Sequence, residues 1–228
     1  MPKAEFIRTM FNDISPKYDL LNDILSLGIH RLWKKKLVAK ILSTAPQSFL
    51  DGATGTGDIA LMCRESNPLI KIKGIDFSPN MIKHAKLRSS AVDFEVNDLM
   101  NLSLPDRSYD ASNVSFGIRN VEDYNLAIQE LNRVTKQSIY IMEFGQPKNK
   151  IIRSIYFFIM FKIIPFIGKI FNKEEAYSYL IESSARFPSD DTFLQAIKDN
   201  APGFDEYKYT PLFFGVVYIY EAHRRKKI

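Results

Sequence analysis

The sequence has very little cysteine, and its amino terminus has no apolar segment of the kind that directs secretion. Cys63 is the only cysteine among 228 residues, which excludes an internal disulfide and a cysteine-based metal site. We therefore expect no bound metal and a reducing, cytoplasmic compartment. The first ten residues, MPKAEFIRTM, lack the apolar core of a secretion signal and support the same expectation.

Long hydrophobic runs and internal repeats are also missing. The most apolar stretch covers residues 151–171, but its longest uncharged run, residues 154–161, is far shorter than the roughly 20 residues that a membrane span requires. The stretch is nevertheless too apolar for an ordinary surface loop. The chain as a whole is 46% hydrophobic and 25% charged, a composition typical of one globular domain.

Positive charge is in modest excess, with a net charge of +5 and a basic tail at residues 223–227. Such a balance fits nucleic-acid binding, contact with an anionic membrane, or a tail that is simply solvated. The basic residues gather at the carboxyl terminus instead of alternating with aromatic residues. We therefore expect no nucleic-acid partner.

Strand and helix signals alternate through the middle of the chain. The first 45 residues are predicted to be helical. The predicted strands cover residues 48–51, 70–76, 92–96, 109–116, 138–144, 206–210 and 216–220, and predicted helices begin near residues 57, 78, 121 and 189. This alternation predicts an α/β fold whose mostly parallel sheet carries helices on both faces, with the last two strands forming a hairpin at its edge.

A glycine-rich loop, DGATGTGD, follows the first predicted strand. Gly55 and Gly57 allow a backbone to approach a ligand closely, and the second strand ends in Asp76, which is placed to accept hydrogen bonds from a ribose. Asp51 distinguishes two nucleotide cofactors. Its carboxylate would repel the pyrophosphate of NAD but suits the α-ammonium group of S-adenosylmethionine, so the loop favours S-adenosylmethionine.

Polar residues at the ends of two further strands extend this candidate site. Asp98 and Leu99 follow the third strand, where a carboxylate can accept from an adenine amino group; the alternative for Asp98 is a capping turn. Ser115 ends the fourth strand, at the edge where open α/β sheets bind ligands. We interpret Ser115 as facing the ligand.

Several motifs together resemble one family. Residues 11–23 read FNDISPKYDLLND, residues 25–34 read LSLGIHRLWK, and residues 115–121 read SFGIRNV. With the glycine loop, they resemble the ubiquinone/menaquinone biosynthesis C-methyltransferases. Residues 143–147, 165–168 and 177–183 are also similar, so the resemblance covers nearly the whole chain. The chain departs from the family at Thr54, where glycine is usual, in a shortened turn at 136–138, and in a more aromatic carboxyl terminus.

The resemblance implies a class I S-adenosylmethionine-dependent methyltransferase, Rossmann-like with a seven-stranded sheet. It divides the chain into a helical cap (1–45), a cofactor-binding core (46–146), an acceptor-side insertion (147–204), and carboxyl-terminal strands with a tail (205–228). It further implies methylation of a prenylated quinol, demethylmenaquinol being the common bacterial acceptor. The cofactor contacts that it implies are Thr56, Asp76, Asp98, Leu99 and Ser115.

Methylation of a ring carbon needs a group that favours the phenolate, since a neutral aromatic carbon is a poor nucleophile. Arg119 is the predicted stabiliser of that charge; its alternative role is to brace the loop. Tyr18 and His30 are further candidates from the amino-terminal helices. Of these, His30 has the ordinary pKa of a base near neutrality, although a structural role is its alternative.

The apolar stretch at 151–171 has two open interpretations. It is either an ordinary buried helix or a surface for a lipid, lining a channel for an isoprenoid tail or touching the anionic inner face of the cytoplasmic membrane. Alternative acceptors are the benzoquinol precursor of ubiquinone and another lipid or phenol. Alternative classes are a cofactor-binding protein without catalysis and an RNA methyltransferase. A homo-oligomer stays open.

Overall fold

The structure is a computed structural model that describes residues 9, 28–163, 165 and 174–225. Tyr18 and the motif at 11–23 lie outside the described residues, as do 166–173 and the last three residues of the chain. Within the described part, no helix is both long and apolar enough to cross a membrane.

Seven strands form one sheet in the order β3-β2-β1-β4-β5-β7-β6. Strands β1 to β5 are parallel, and β7 pairs antiparallel with both β5 and β6. The strands are β1 Ser48–Gly52, β2 Lys71–Asp76, β3 Asp93–Val96, β4 Tyr109–Ser115, β5 Thr135–Phe144, β6 Glu206–Leu212 and β7 Val217–His223. The predicted α/β fold with a carboxyl-terminal hairpin is thus confirmed, with β7 as the strand that joins the hairpin to the sheet.

Helices pack on both faces of this sheet. The described helices are α1 His30–Ser43, α2 Asp58–Ser66, α3 Pro79–Arg88, α4 Tyr124–Val134, α5 Lys150–Phe158, α6 Glu174–Arg186 and α7 Asp190–Asn200. One hydrophobic core joins β1 and β2 to α1, α2 and α3, through residues such as Ile41 and Ala60. A second core joins the other face to α4 and α7, through residues such as Ile128 and Phe193.

Local capping explains where two of these helices begin. Ser78 caps α3 by accepting a hydrogen bond from the Met81 amide at 3.1 Å, and Pro79 occupies the first helical position. Asp123 caps α4 in the same way through the Asn125 amide. The helix therefore begins three residues later than the predicted residue 121, because a 3₁₀ turn at Ile118–Asn120 comes first.

The apolar stretch is not an ordinary buried helix where the structure describes it. Helix α5 continues into a π-helical turn at Ile159–Ile163, and only Tyr156 and Met160 are buried in these two elements. The exposed apolar residues are Ile151, Ile155, Phe158, Ile159, Phe161 and Ile163. The interpretation of this segment as plain core is wrong for residues 150–163, because a continuous set of its apolar side chains faces solvent.

The described part of the basic tail packs against the protein. His223 ends β7, and the Arg224 guanidinium lies 3.7 Å from the centre of the Phe204 ring. Arg224 also donates hydrogen bonds to the carbonyls of Thr135 and Lys136, so this residue ties the amino end of β5 to the carboxyl terminus.

Candidate active site

A cavity of about 220 Å³ opens at the carboxyl edge of the sheet, where the strand order reverses between β1 and β4. Open α/β sheets bind ligands at this switch point. The loops after β1, β2, β3 and β4 all contribute to its wall. Among the wall residues are Gly55, Asp76, Ser78, Met81, Asp98, Leu99, Ser115, Phe116, Gly117, Asn120 and Glu122.

The wall of this cavity is acidic. It carries the carboxyl groups of Asp76, Asp98 and Glu122, and none of the described residues that line it is a lysine, arginine or histidine. A phosphate group would find no cationic partner there, whereas a sulfonium and an ammonium group suit such a wall. The residues present therefore fit S-adenosylmethionine better than a dinucleotide.

Asp76 is held in place by the backbone of the neighbouring loops. One carboxylate oxygen accepts a hydrogen bond from the Gly55 amide at 2.8 Å, and the other accepts from the Ser78 amide at 2.9 Å. Burial raises the pKa of this carboxyl group, and the two amides partly counter that rise. Each oxygen keeps a second lone pair, so the oriented carboxylate can also accept the hydroxyl groups of a ribose.

Asp51 lies beneath the glycine loop and does not line the cavity. Its carboxylate is 1% exposed and accepts hydrogen bonds from the Thr54 hydroxyl at 2.6 Å, the Asn113 side chain at 2.8 Å and the Ala60 amide at 3.2 Å. Burial raises the pKa of Asp51 to about 6 against the effect of these bonds. In this structure Asp51 fastens the loop, while Asp76, Asp98 and Glu122 supply the charge of the wall, and a contact between Asp51 and a ligand ammonium stays a prediction.

Thr54 fits the loop although the resembling family has glycine there. The left-handed φ angles of the loop fall on its neighbours, 50° at Ala53 and 57° at Gly55. Its hydroxyl supplies one of the hydrogen bonds to Asp51. The departure from the family therefore leaves the loop intact.

Thr56 and Gly57, also predicted as cofactor contacts, do not line the cavity. Arg88 donates hydrogen bonds to the Thr56 carbonyl at 2.9 Å and to its hydroxyl at 3.0 Å. Gly57 has a φ of 91°, and a Cβ built on it would lie 2.8 Å from the Phe94 ring. Both residues position the start of α2, and their contact with the cofactor stays a prediction.

Asp98, Leu99 and Ser115 all line the cavity, as the sequence predicted. Asp98 also accepts a hydrogen bond from the Met100 amide at 2.9 Å, so the alternative of a capping turn holds alongside its place in the wall. The Ser115 hydroxyl lies 3.0 Å from the Asn113 side-chain nitrogen, and Asn113 in turn reaches Asp51. This chain of hydrogen bonds ties the end of β4 to the loop after β1.

Arg119 is buried behind the cavity wall. Its guanidinium forms an ion pair with Glu143 at the end of β5, and it also donates to the Phe116 carbonyl at 3.0 Å. The guanidinium carbon lies 5.2 Å from the centre of the Phe144 ring. The contact with Phe116 braces the loop, which is the alternative role that the sequence analysis gave to Arg119. Stabilisation of a phenolate by Arg119 stays a prediction.

His30 is buried at the first residue of α1 and does not line the cavity. Trp33, one turn further on, packs against Phe116 and Phe144 with ring centres 6.3 and 6.5 Å apart. The start of α1 therefore lies beside the carboxyl ends of β4 and β5. The role of His30 as a base stays a prediction, as does that of Tyr18.

The sequence interpretation did not single out several polar residues near Arg119. Glu143 carried a signal, because it is a lone acid at the end of an apolar strand, and Tyr179 lies in a motif of the resembling family. Tyr156 carried none, since it lies within an apolar stretch. The Tyr179 hydroxyl lies 3.0 Å from the Asn120 side-chain oxygen, which joins this cluster to the cavity wall.

The doubly wound sheet with an acidic cavity at its switch point has the architecture of a class I S-adenosylmethionine-dependent methyltransferase. Solved structures share the fold. A S-adenosylmethionine-dependent methyltransferase from Thermotoga maritima is 17% identical, with a TM-score of 0.65 over 96% of this chain and 100% of that one. The magnesium protoporphyrin IX methyltransferase of Synechocystis, solved with S-adenosylmethionine bound, is 15% identical, with the same TM-score over 99% and 98%.

The chain belongs to the ubiE/COQ5 methyltransferase family, whose model matches residues 2–224. It is 38% identical to the ubiquinone/menaquinone biosynthesis C-methyltransferase UbiE of Bdellovibrio bacteriovorus, over 97% of each chain. It is 39% identical to the protein of that name from Geobacter sp. strain M21, over 96% of each. The enzyme is accordingly a C-methyltransferase that uses S-adenosyl-L-methionine, and the predicted family is confirmed.

Proposed function

We propose that this enzyme methylates a ring carbon of a prenylated quinol and that demethylmenaquinol is its acceptor. The observation that carries the proposal is the buried Arg119–Glu143 pair, which lies beside the end of the cavity formed by Ser115 and Phe116. The wall there carries an aromatic side chain, and the Arg119 guanidinium lies buried behind it, an arrangement that suits a phenolic ring. The names of the relatives support a quinone pathway.

The cofactor side of the cavity is proposed to hold the methyl donor in a fixed orientation. Asp76 would accept the ribose hydroxyls, Asp98 the adenine amino group, and Leu99 would contact the adenine ring. Gly55 and Ser115 also line the cavity, and the Gly55 amide donates a hydrogen bond to Asp76. S-adenosylmethionine, when bound, supplies a methyl group on a sulfonium sulfur. The protein's own contribution is to align that group with the acceptor and to exclude water.

The acceptor side is proposed to favour the ionised quinol. A ring carbon becomes nucleophilic when the adjacent hydroxyl loses its proton, and a hydrogen bond donated by the Arg119 guanidinium, whose charge is paired with Glu143, would lower the cost of that ionisation. The ring carbon then bonds to the methyl carbon as the bond to sulfur breaks, with its electron pair left on sulfur. Loss of the ring proton restores the aromatic ring.

The acceptor is tested by offering two quinols side by side. Labelled methyl transfer from S-adenosylmethionine is measured with demethylmenaquinol and with the benzoquinol precursor of ubiquinone, each with the same short isoprenoid tail. We expect kcat/KM to be about 10-fold or more higher for demethylmenaquinol, a difference of about 1.4 kcal/mol in transition-state binding. Equal or higher kcat/KM for the benzoquinol would contradict the choice of acceptor, and transfer to neither would remove the quinol altogether.

We further propose that α5 and the π-helical turn rest on an anionic membrane surface, where a prenylated acceptor resides. Residues 146–163 contain Lys148, Lys150, Arg153 and Lys162 and no acidic residue. The exposed fractions of the apolar side chains are large, 73% for Ile151 and 61% for Phe158. Apolar residues flanked by cations suit the boundary between headgroups and acyl chains of anionic lipid.

Vesicle sedimentation tests this surface. The double variant Phe158→Ser/Phe161→Ser should bind vesicles containing phosphatidylglycerol about 10-fold more weakly than the unaltered protein, because it removes two buried apolar contacts with lipid. The control is Leu69→Ser/Leu87→Ser, which removes two apolar side chains elsewhere that are even more exposed, at 89% and 76%. Unchanged binding by the first variant, or an equal loss in the control, would rule out this surface as the membrane contact.

A further inference from the structure

Two buried polar atoms next to the acceptor side have no hydrogen-bond partner in the described part of the chain. They are Nε of Arg119 and the hydroxyl oxygen of Tyr156. The Arg119 side chain is 7% exposed and Tyr156 is 8% exposed. A buried donor without a partner costs free energy, and native structures contain few of them. Two such donors in one electrostatic cluster are therefore candidates to bind an atom of a ligand.

Nη1 of the Arg119 guanidinium is already occupied. Glu143 and the carbonyl of Phe116 both accept from Nη1, and Phe144 lies under the guanidinium. These contacts fix the plane of the group without using Nε. The Arg119–Glu143 pair thus orients Nε and does not leave it to rotate.

Tyr156 lies in the electrostatic field of this same pair. Burial is the largest influence on Tyr156 and raises its pKa to about 12, while the charge of Arg119 lowers the pKa and that of Glu143 raises it. The same two charges act on Tyr179. At neutral pH the Tyr156 hydroxyl therefore keeps its proton and is a hydrogen-bond donor.

The short turn Ile118–Asn120 separates this cluster from the cofactor cavity. Gly117 and Asn120 line the cavity, and the Asn120 side chain lies 3.0 Å from the Tyr179 hydroxyl on α6. Arg119 itself lies in this turn, between two residues of the cavity wall, and the contact between Asn120 and Tyr179 joins the wall to the cluster of buried donors.

We propose that the Tyr156 hydroxyl and Arg119 Nε donate hydrogen bonds to one ring oxygen of the acceptor, which makes Tyr156 a catalytic residue. The inference rests on the proposed function, since it names groups that hold a phenolic oxygen. Two donors on one oxygen favour its ionised form over the neutral hydroxyl. Helix α5 thus presents an apolar face to solvent and a single buried hydroxyl to the reaction centre.

The test is Tyr156→Phe, which removes only the hydroxyl. We expect kcat/KM for demethylmenaquinol to fall about 10- to 100-fold, chiefly through kcat, and part of the loss to be recovered at higher pH, where the free quinol ionises unaided. The affinity for S-adenosylmethionine should stay unchanged. The melting temperature should not fall, because no group in the free protein loses a partner. Tyr209→Phe, whose hydroxyl contacts Lys148 and Asp191, is the matched control and should keep full kcat/KM.

Each possible result either supports or overturns the assignment of Tyr156 as a catalytic residue. Activity of Tyr156→Phe within about twofold of the unaltered protein would overturn the inference while the proposed function stood. A loss of activity that came with lower stability or weaker cofactor binding would mark Tyr156 as structural and overturn it as well. If the unaltered protein transferred no methyl group to either quinol, the proposed function itself would be wrong. That result is distinguishable from a loss of activity seen only in Tyr156→Phe.

Discussion

At the scale of single residues, the carboxyl groups of Asp51 and Asp76 near the glycine loop have different partners. Asp51 uses its hydrogen-bonding capacity inside the protein, on Thr54, Ala60 and Asn113. Asp76 uses one lone pair of each oxygen on backbone amides and faces the cavity. Asp51 therefore shapes the loop and Asp76 lines the cavity, and the contact of each with the cofactor stays a prediction.

Asp51 should make stability depend on pH in a specific direction. Burial raises the pKa of Asp51 in the folded state from 3.8 to about 6. The contribution of Asp51 to the free energy of unfolding is therefore fully present below about pH 4 and is lost as the pH rises through 6. Because one pKa unit corresponds to about 1.4 kcal/mol, the free energy of unfolding of the unaltered protein minus that of Asp51→Asn should fall by roughly 2 to 4 kcal/mol between pH 4 and 7.

Chemical denaturation across this pH range measures that difference, in which the titration of other groups cancels. The exposed Asp199→Asn serves as the control and should show no comparable fall. A difference between the unaltered protein and Asp51→Asn that stayed flat from pH 4 to 7 would show that the folded protein does not raise the pKa of Asp51.

Individual residues also show why the sequence alone did not predict some contacts of the site. Asp76 and Ser115 end their strands and Asp98 follows β3, and the carboxyl ends of parallel strands meet at one edge, so sequence position alone placed them in the wall. Glu143 meets Arg119 across 24 residues, and this pairing depends on the register of β4 and β5. Asp51 occupies a comparable position near the end of β1, but its side chain turns beneath the loop, which no spacing predicts.

At the scale of elements, the start of α2 depends on a glycine that only tertiary packing makes necessary. Gly57 has a φ of 91°, and a Cβ on it would lie 2.8 Å from the Phe94 ring on β3. Gly203 has a similar φ of 87°, but a Cβ there would have no heavy atom within 4 Å. Both glycines have a left-handed backbone, but only at Gly57 would a Cβ also clash with a neighbouring side chain.

Alanine substitution at both positions makes this separation measurable. Gly203→Ala should lower the free energy of unfolding by about 1 to 2 kcal/mol, the cost of a left-handed residue with a Cβ. Gly57→Ala should cost at least about 1 kcal/mol more, because the added methyl group overpacks the contact with Phe94. Equal losses, determined from urea unfolding curves, would show that Phe94 yields without cost and that only the backbone requires Gly57.

The elements also differ in how far the sequence determines them. The Ser78–Pro79 pair predicts the start of α3 by local chemistry, and the structure confirms it. The apolar stretch at 151–171 could not be interpreted in this way, because apolar composition is shared by a buried helix and a lipid-facing one. Its exposure depends on which neighbours cover it, and only the structure showed that residues 150–163 keep an exposed apolar face.

At the scale of the whole molecule, charge is distributed unevenly. The chain carries a net charge of +5, yet the described wall of the cavity presents three carboxyl groups and no cation. Positive residues gather instead along α5 and its flanks, beside an exposed apolar face. The acidic cavity suits the cationic methyl donor. We propose that the basic, apolar exterior contacts an anionic lipid surface that holds the acceptor.

The most direct test of this account is the affinity for S-adenosylmethionine, measured by calorimetry on Asp76→Asn and Asp199→Asn. Both variants raise the net charge by one, so they change the overall field of the molecule alike, but only Asp76 lies in the cavity wall. The account predicts that Asp76→Asn raises Kd about 10- to 100-fold, as expected for the loss of charged hydrogen bonds, while Asp199→Asn stays within about twofold. An unchanged Kd in Asp76→Asn, or an equal increase in both variants, would contradict it.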